Sequence, residues 1–262
     1  MSNFDAHYVP KSAMTIFAHP DDAEFSVAGT VAKWARDGCE VTFVACTSGN
    51  VGTHDTQFTP ATLAKTREKE QKEAAKLLGV KHVVFLRHDD CRLEPTLELR
   101  RELVREIRKR KPEVVLCGDP DAWFYDSTYI NHPDHRAAAA AALEAVFPCA
   151  EMELLWPELG PAHKVSAVYV NLTEAPNTWI DITDTIDLKV GSLKCHPSQM
   201  GEWDPGPMVH EWAAAEAKQG RKKMKAANGG KAKKNKKQKG KLKYAEAFRV
   251  MRLKDEEQPP ES

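Results

Sequence analysis

The chain has 262 residues, 42% of them apolar, with 38 Lys and Arg balanced by 38 Asp and Glu; this suits one large α/β domain with a real core better than two small ones. No apolar run reaches the roughly 18 residues of a membrane span, and the start MSNFDAHYVPKSAM lacks the charged-then-apolar pattern of a signal peptide. Six scattered cysteines (Cys39, Cys46, Cys91, Cys117, Cys149, Cys195) without CxxC spacing point to free thiols in a reducing cytoplasm.

In chain order, the apolar run at 13–18 (AMTIFA) predicts a buried strand, followed by the turn HPDDAEF and a helix over 25–37 that stops at Gly38. A strand at 40–46 (EVTFVAC), the loop TSGNVGT at 47–53 and a helix over 60–78 come next. Then follow a strand at 82–86, a helix over 95–110, a strand at 113–117, a helix over 134–147 and a strand at 165–170. This alternation predicts a Rossmann-like, doubly wound, mostly parallel sheet with helices on both faces. Its binding crevice lies outside the carboxyl ends of the strands. Beyond 171 the pattern is less regular, with a strand at 178–182 and helices over 184–196 and 208–219.

Residues 218–243 hold 13 of the Lys and Arg and no Asp or Glu, which leaves 25 positive against 38 negative elsewhere. A segment so basic and so poor in apolar groups does not offset its ordering entropy. It is expected to be a disordered insertion, because YAEAFRV at 244–250 reads as ordered again. One domain is thus expected over 1–254, with an acidic, proline-containing tail at 255–262. Such a run attracts nucleic acid or an acidic partner, but a solvated loop accounts for it as well and is the preferred reading.

The chemistry gathers at the first strand end, where AHPDDAEF places His19, Asp21 and Asp22, and at NHPDHR (131–136), before an alanine-rich helix. A helix cap explains either aspartate singly. Two adjacent aspartates exceed what one cap needs, and a second HPD followed by another histidine is harder to explain by capping. Pro20 and Pro133 restrict the backbone after each histidine. Two histidines and an aspartate with one open position suit catalytic zinc, although such sites also accept iron, cobalt or manganese. A nucleotide-binding reading is disfavoured, since the first βα turn lacks GxGxxG and its aspartates would repel phosphate.

With AHPDD at 18–22, HPDH at 132–135, REKE at 67–70, HPSQ at 196–199 and AEAFR at 245–249, the chain resembles the N-acetylglucosaminyl-phosphatidylinositol de-N-acetylase-like (PIG-L/LmbE) family of metal-dependent deacetylases over most of its length. The resemblance implies that His19, Asp22 and His135 hold Zn2+, that Asp21 is the general base for a metal-activated water, that His132 stabilises the oxyanion and that Asp134 orients a histidine, His132 first of all. It implies substrate contacts from Arg67, which otherwise is a solvated residue of a charged helix, and from Asn50, which stands where many relatives carry an acid. Glu70 either shares that role or pairs with Arg67. Ala23 replaces an acid frequent in relatives. The TSGNVGT glycines permit close approach to a ligand. The run WFYDSTY (123–129) forms an apolar wall over a sugar or packs in the core, and His196 is a weak candidate for lining the pocket. The activity implied is removal of an N-acetyl group from an N-acetylglucosamine-type sugar or conjugate. The alternatives are an amidase on a larger sugar-linked amide and a binding protein acting through 218–243.

Overall fold

The computed structural model describes residues 8–125, 127–227 and 242–253. Ser12–Phe17 forms β1, whose apolar run is continuous because both faces are covered: Ala13 and Phe17 join one hydrophobic cluster, Met14 and Ile16 the other. Two helices follow, α1 (Asp22–Ser26) and α2 (Ala28–Arg36), separated at Val27. The single helix expected over 25–37 is therefore two, and Asp22 opens the first. The first half continues with β2 (Glu40–Thr47), α3 (Pro60–Leu77), β3 (His82–His88), α4 (Leu97–Arg110) and β4 (Val114–Cys117). Thr59 starts α3 through a reciprocal capping box with Thr62, with Pro60 behind it.

β1 pairs in parallel with β2 on one side and β4 on the other. The chain runs outward through β2 to β3 and then returns across β1 to β4, so the connections diverge there and open a crevice at the carboxyl ends of β1 and β4. Beyond β4, β5 (Phe124–Tyr125) and β6 (Tyr129–Ile130) make a two-stranded ribbon leading into α5 (Pro133–Glu144). The helix expected to reach 147 ends at Glu144, and the chain kinks at Phe147, whose backbone is extended (φ −134, ψ 127).

β7 (Ala167–Asn171) pairs in parallel with β4; β8 (Thr178–Asp181), α6 (Ile186–Leu193), α7 (Pro197–Met200) and α8 (Gly206–Ala227) follow. The last strand, β9 (Ala245–Arg252), inserts antiparallel between β7 and β8, giving the order β3-β2-β1-β4-β7-β9-β8. Each face of this mostly parallel sheet has its own core, Trp34, Phe43, Leu116, Tyr169 and Phe248 on one and Met14, Leu99, Leu103, Ile107 and Val115 on the other. A fully buried leucine such as Leu103 is worth about 2–5 kcal/mol against alanine.

From β9, Glu246 accepts the amides of Gly29 at 2.9 Å and Thr30 at 2.8 Å and takes Lys189 Nζ at 2.5 Å. Val27, at the N-cap of α2, has no capping side chain, so a residue remote in sequence satisfies the first amides.

Residues 218–227 are helical, the last turns of α8, which corrects the expectation of disorder from 218 onward. The cause is packing. Ala217 and Gly220 are buried, and a Cβ on Gly220 would lie 2.7 Å from Trp179. The rest of the basic stretch, 228–241, and the tail at 255–262 lie outside the described residues. No helix among the described residues is long and apolar enough to cross a membrane, and the six cysteines are free.

Candidate active site

β1 delivers His19 and Pro20 into the crevice, and Asp21 takes the N-cap of α1 at φ 97, a region that residues other than glycine rarely adopt. Gln71 Oε1 accepts the Asp21 amide at 3.0 Å, and Gln71 Nε2 donates to Glu24 Oε1 at 2.6 Å. The Asp22 carboxylate accepts the His19 amide at 2.8 Å and stands 3.5 Å from His19 Nδ1 and 3.1 Å from His135 Nε2. One side chain thus joins the two HPD turns.

In the second turn His132 is the N-cap of α5, its Nδ1 accepting the Asp134 amide at 3.2 Å. The hydrogen of the neutral ring then sits on Nε2. His135 Nδ1 meets Asn131 Oδ1 at 2.8 Å, which turns its Nε2 toward Asp22. The buried Asp134 carboxylate accepts the amides of Cys91 at 2.8 Å and Leu93 at 3.3 Å and lies 3.3 Å from His19 Nε2. Of the clustered histidines, the one that the Asp134 carboxylate lies nearest is His19. That carboxylate serves His19, its Oδ1 being 3.9 Å from His132 Nδ1, and the Asp134 backbone amide is what fixes His132.

Sequence reasoning missed Asp90, whose Oδ1 lies 3.1 Å from His19 Nε2, and its neighbour Cys91, whose Sγ lies 3.5 Å from His132 Nε2. It also missed Gln71. The only signal for Asp90 and Cys91 is a DDC string after the third strand, with no second motif to pair it with.

Arg67 and Asn50 are placed differently from expectation. Arg67 is buried, its Nη2 donating to the Pro20 carbonyl at 2.7 Å and to Asp21 Oδ2 at 3.3 Å, and its Nη1 to the Gly49 carbonyl at 3.2 Å. It backs Asp21 instead of facing the crevice mouth. The glycines of TSGNVGT close over this guanidinium, since a Cβ at Gly49 or Gly52 would fall 2.1 or 2.5 Å from Nη1. Asn50 donates to Asp89 Oδ1 at 3.3 Å and accepts the Asp90 amide at 2.9 Å, so it ties down the loop that carries Asp90.

Glu70 accepts the Ser198 amide and hydroxyl at 2.9 and 2.6 Å, which anchors the HPSQ segment. His196 is fully buried, 3.9 Å from Glu24 Oε2, behind Asp21 and away from the open crevice. The aromatic run is no core element: Trp123, Phe124, Tyr129 and Ile130 are exposed on the ribbon that leads into His132, and the Arg136 guanidinium stacks 3.6 Å over Trp123.

Charges in the cluster oppose and support one another. Burial works against a charged His19 ring, but Asp22, Asp134 and Asp90 outweigh it and raise its pKa well above the usual value. Burial also works against an ionised Asp22, yet His135 and His19 hold it well below the carboxylate range. Asp90 is brought to about 2 by His19 against the same penalty. Asp21 goes the other way: burial raises it to about 6, Arg67 pulls it down and Asp22 pushes it up. Burial and the neighbouring His19 lower His132.

His19, Asp22 and His135 offer donor atoms that all lie within 4.8 Å of one another. Asp22 Oδ1 stands 3.1 Å from His135 Nε2 and Asp22 Oδ2 stands 3.5 Å from His19 Nδ1, each close to the edge of about 3.3 Å of a zinc tetrahedron with bonds of about 2.0–2.1 Å. Two imidazoles and one carboxylate with a position to spare therefore fit zinc or another divalent transition metal.

Relatives of this chain include several deacetylases and a mycothiol S-conjugate amidase of Streptomyces coelicolor. The chain is 36% identical over 204 residues to the diacetylchitobiose deacetylase of Thermococcus kodakarensis, covering 74% of each chain. It is 28% identical over 198 residues to a probable N-acetyl-alpha-D-glucosaminyl L-malate deacetylase 2 of Bacillus anthracis, covering 72% of this chain and 81% of the relative. The solved N,N'-diacetylchitobiose deacetylase from Pyrococcus horikoshii, complexed with its inhibitor MPG, superposes with a TM-score of 0.77 at 29% identity, over 93% of this chain and 84% of that one. The family model for PIG-L, GlcNAc-PI de-N-acetylase, matches residues 14–146, from β1 through both HPD turns, and the chain belongs to that family.

Proposed function

We propose that the protein removes an N-acetyl group from an N-acetylglucosamine-type sugar or sugar conjugate by metal-dependent hydrolysis. One observation carries the reading: His19, Asp22 and His135 converge at a strand end beside Asp21, a carboxyl of raised pKa, and His132, whose Nε2 is a donor. The relatives that act on diacetylchitobiose and on an N-acetylglucosaminyl malate support the substrate class.

In this reading His19, Asp22 and His135 hold the ion, zinc being the working choice, which when bound supplies Lewis acidity and a water of lowered pKa. Asp21 takes the proton of the attacking water and returns it to the leaving amine; a carboxyl near 6 suits both halves of that task. Arg67 restrains that carboxyl from rising further, and Gln71 holds its backbone. His132 donates from Nε2 to the carbonyl oxygen as it turns negative. The exposed aromatic rings of the ribbon offer apolar surfaces to the C–H faces of a sugar. Six free thiols suit a reducing compartment, and the cytoplasm is the proposed location.

The test is release of primary amine from free N-acetylglucosamine, its inositol- and thiol-linked forms and diacetylchitobiose, with metal-stripped protein and Asp21→Ala as controls. Turnover by the zinc-loaded protein that disappears in both controls is expected. Equal turnover in the metal-stripped sample would overturn the mechanism, and no turnover on any sugar by protein with stoichiometric metal would overturn the substrate class.

A further inference from the structure

The loop after β3 carries donors that deacetylation does not use. Cys91 is the exposed cysteine of the six, and it is held at φ 64, where a residue other than glycine stores strain. Its Sγ stands 3.5 Å from His132 Nε2, and Asp90 completes a trio of donor atoms within 4.8 Å of one another. A tetrahedral zinc with bonds of about 2.3 Å to sulfur and about 2.0–2.1 Å to nitrogen has an S···N edge of about 3.5 Å. Thiol and ring already stand at ligand spacing. We propose that Asp90, Cys91 and His132 form a second cation site, for a zinc-class ion, which borders the His19–Asp22–His135 site and takes His132 out of use when filled.

The charge around the trio favours a second ion. The carboxylates of Asp21, Asp22, Asp90 and Asp134 crowd the strand ends, and the Arg67 guanidinium pairs with the first of them. One divalent ion among neutral histidines leaves this group with one negative charge in excess. A second divalent ion, entering with loss of the Cys91 proton, brings the sum to zero. Ligation at Nε2 moves the ring hydrogen of His132 to Nδ1, where Asp134 Oδ1 at 3.9 Å becomes the acceptor and the bond from the Asp134 amide is given up. That cost makes the second site weaker than the first. One proton is released per ion bound there. Inhibition rests on the role given to His132 above; binding does not.

Zinc titration by equilibrium dialysis, with labelling of Cys91 by a thiol reagent and turnover followed in parallel, tests the site. The wild type is expected to bind two equivalents, the second more weakly. The second equivalent, and not the first, should slow Cys91 labelling by about an order of magnitude, since the metal-held sulfur is no longer free to attack, and should lower turnover. Cys91→Gly, which suits the left-handed backbone, should bind one equivalent and lose the inhibition by excess zinc. A single equivalent in the wild type with labelling unchanged by excess zinc overturns the site, as do two equivalents in Cys91→Gly. Protected Cys91 with undiminished turnover upholds the site and overturns the oxyanion role of His132 instead.

Discussion

The two HPD turns share a tripeptide and differ in where the helix begins. In the first the aspartate is the N-cap: Asp21 sits at φ 97 with no side-chain cap, and its amide is taken by Gln71. In the second the histidine is the N-cap, at φ −55, and its ring caps Asp134 in the ordinary way. The string is offset by two residues against the helix start. The lesson is that the tripeptide does not set the local geometry; partners from α3 hold the first turn in a costly conformation that leaves the Asp21 carboxylate uncommitted to capping, whereas the second turn is locally self-sufficient. On the proposed mechanism, strain lies where a proton must move.

Asp21→Asn should break the comparison most severely. Asparagine tolerates the left-handed backbone and removes a desolvated carboxyl, so the melting temperature should hold or rise while kcat falls by about 10²–10⁴ with metal retained. A lower melting temperature would mean that the Asp21–Arg67 pair is a net stabiliser and the turn is not strained for function. His132→Ala comes next. It should lower kcat by about 10²–10³ and, unlike the first substitution, cost about 1 kcal/mol of stability through the lost cap; loss of stability without loss of rate would reduce the second turn to a cap alone. The mildest change is Arg67→Met. Arg67 lowers the Asp21 pKa against burial, so without it the base stays protonated to higher pH, and the acid limb of the kcat/KM profile should move upward. An unmoved limb would assign that limb to another group.

Much of the first turn was readable beforehand, because AHPDD follows a strand whose apolar run at 13–18 is unmistakable and whose neighbours alternate with helices. The parallel half of the sheet shows in the same way, each strand carrying its own local signal. What could not be read depends on contacts remote in sequence. β9 is an interior strand only because β7 and β8 flank it in space, and nothing in AEAFRVMR states that. In sequence Arg67 is either a substrate contact or a solvated member of a charged helix, and its burial shows only when Gly49 and Gly52 are seen closing over it. Asp90, Cys91 and Gln71 carry no repeated motif, and their neighbours in the cluster come from other loops. The basic segment misled for a related reason. Composition argues against order, but over 218–227 the helix continues because Ala217 and Gly220 pack against Trp179, and the lysines there lie on its exposed side.

The placement of Glu246 bears on the order in which the molecule comes into being. During synthesis β1, β2, β3 and β4 emerge first and can pair among themselves, yet the leading amides of α2 and the ammonium of Lys189 await a carboxylate from a strand made far later. Burying those groups unmatched is costly, so the packing of α1 and α2 is expected to tighten only when β9 takes its place between β7 and β8. On the proposed metal site, competence to bind metal is thereby deferred: a chain that ends before residue 246 is expected to display both HPD turns and yet bind zinc more weakly than the full chain.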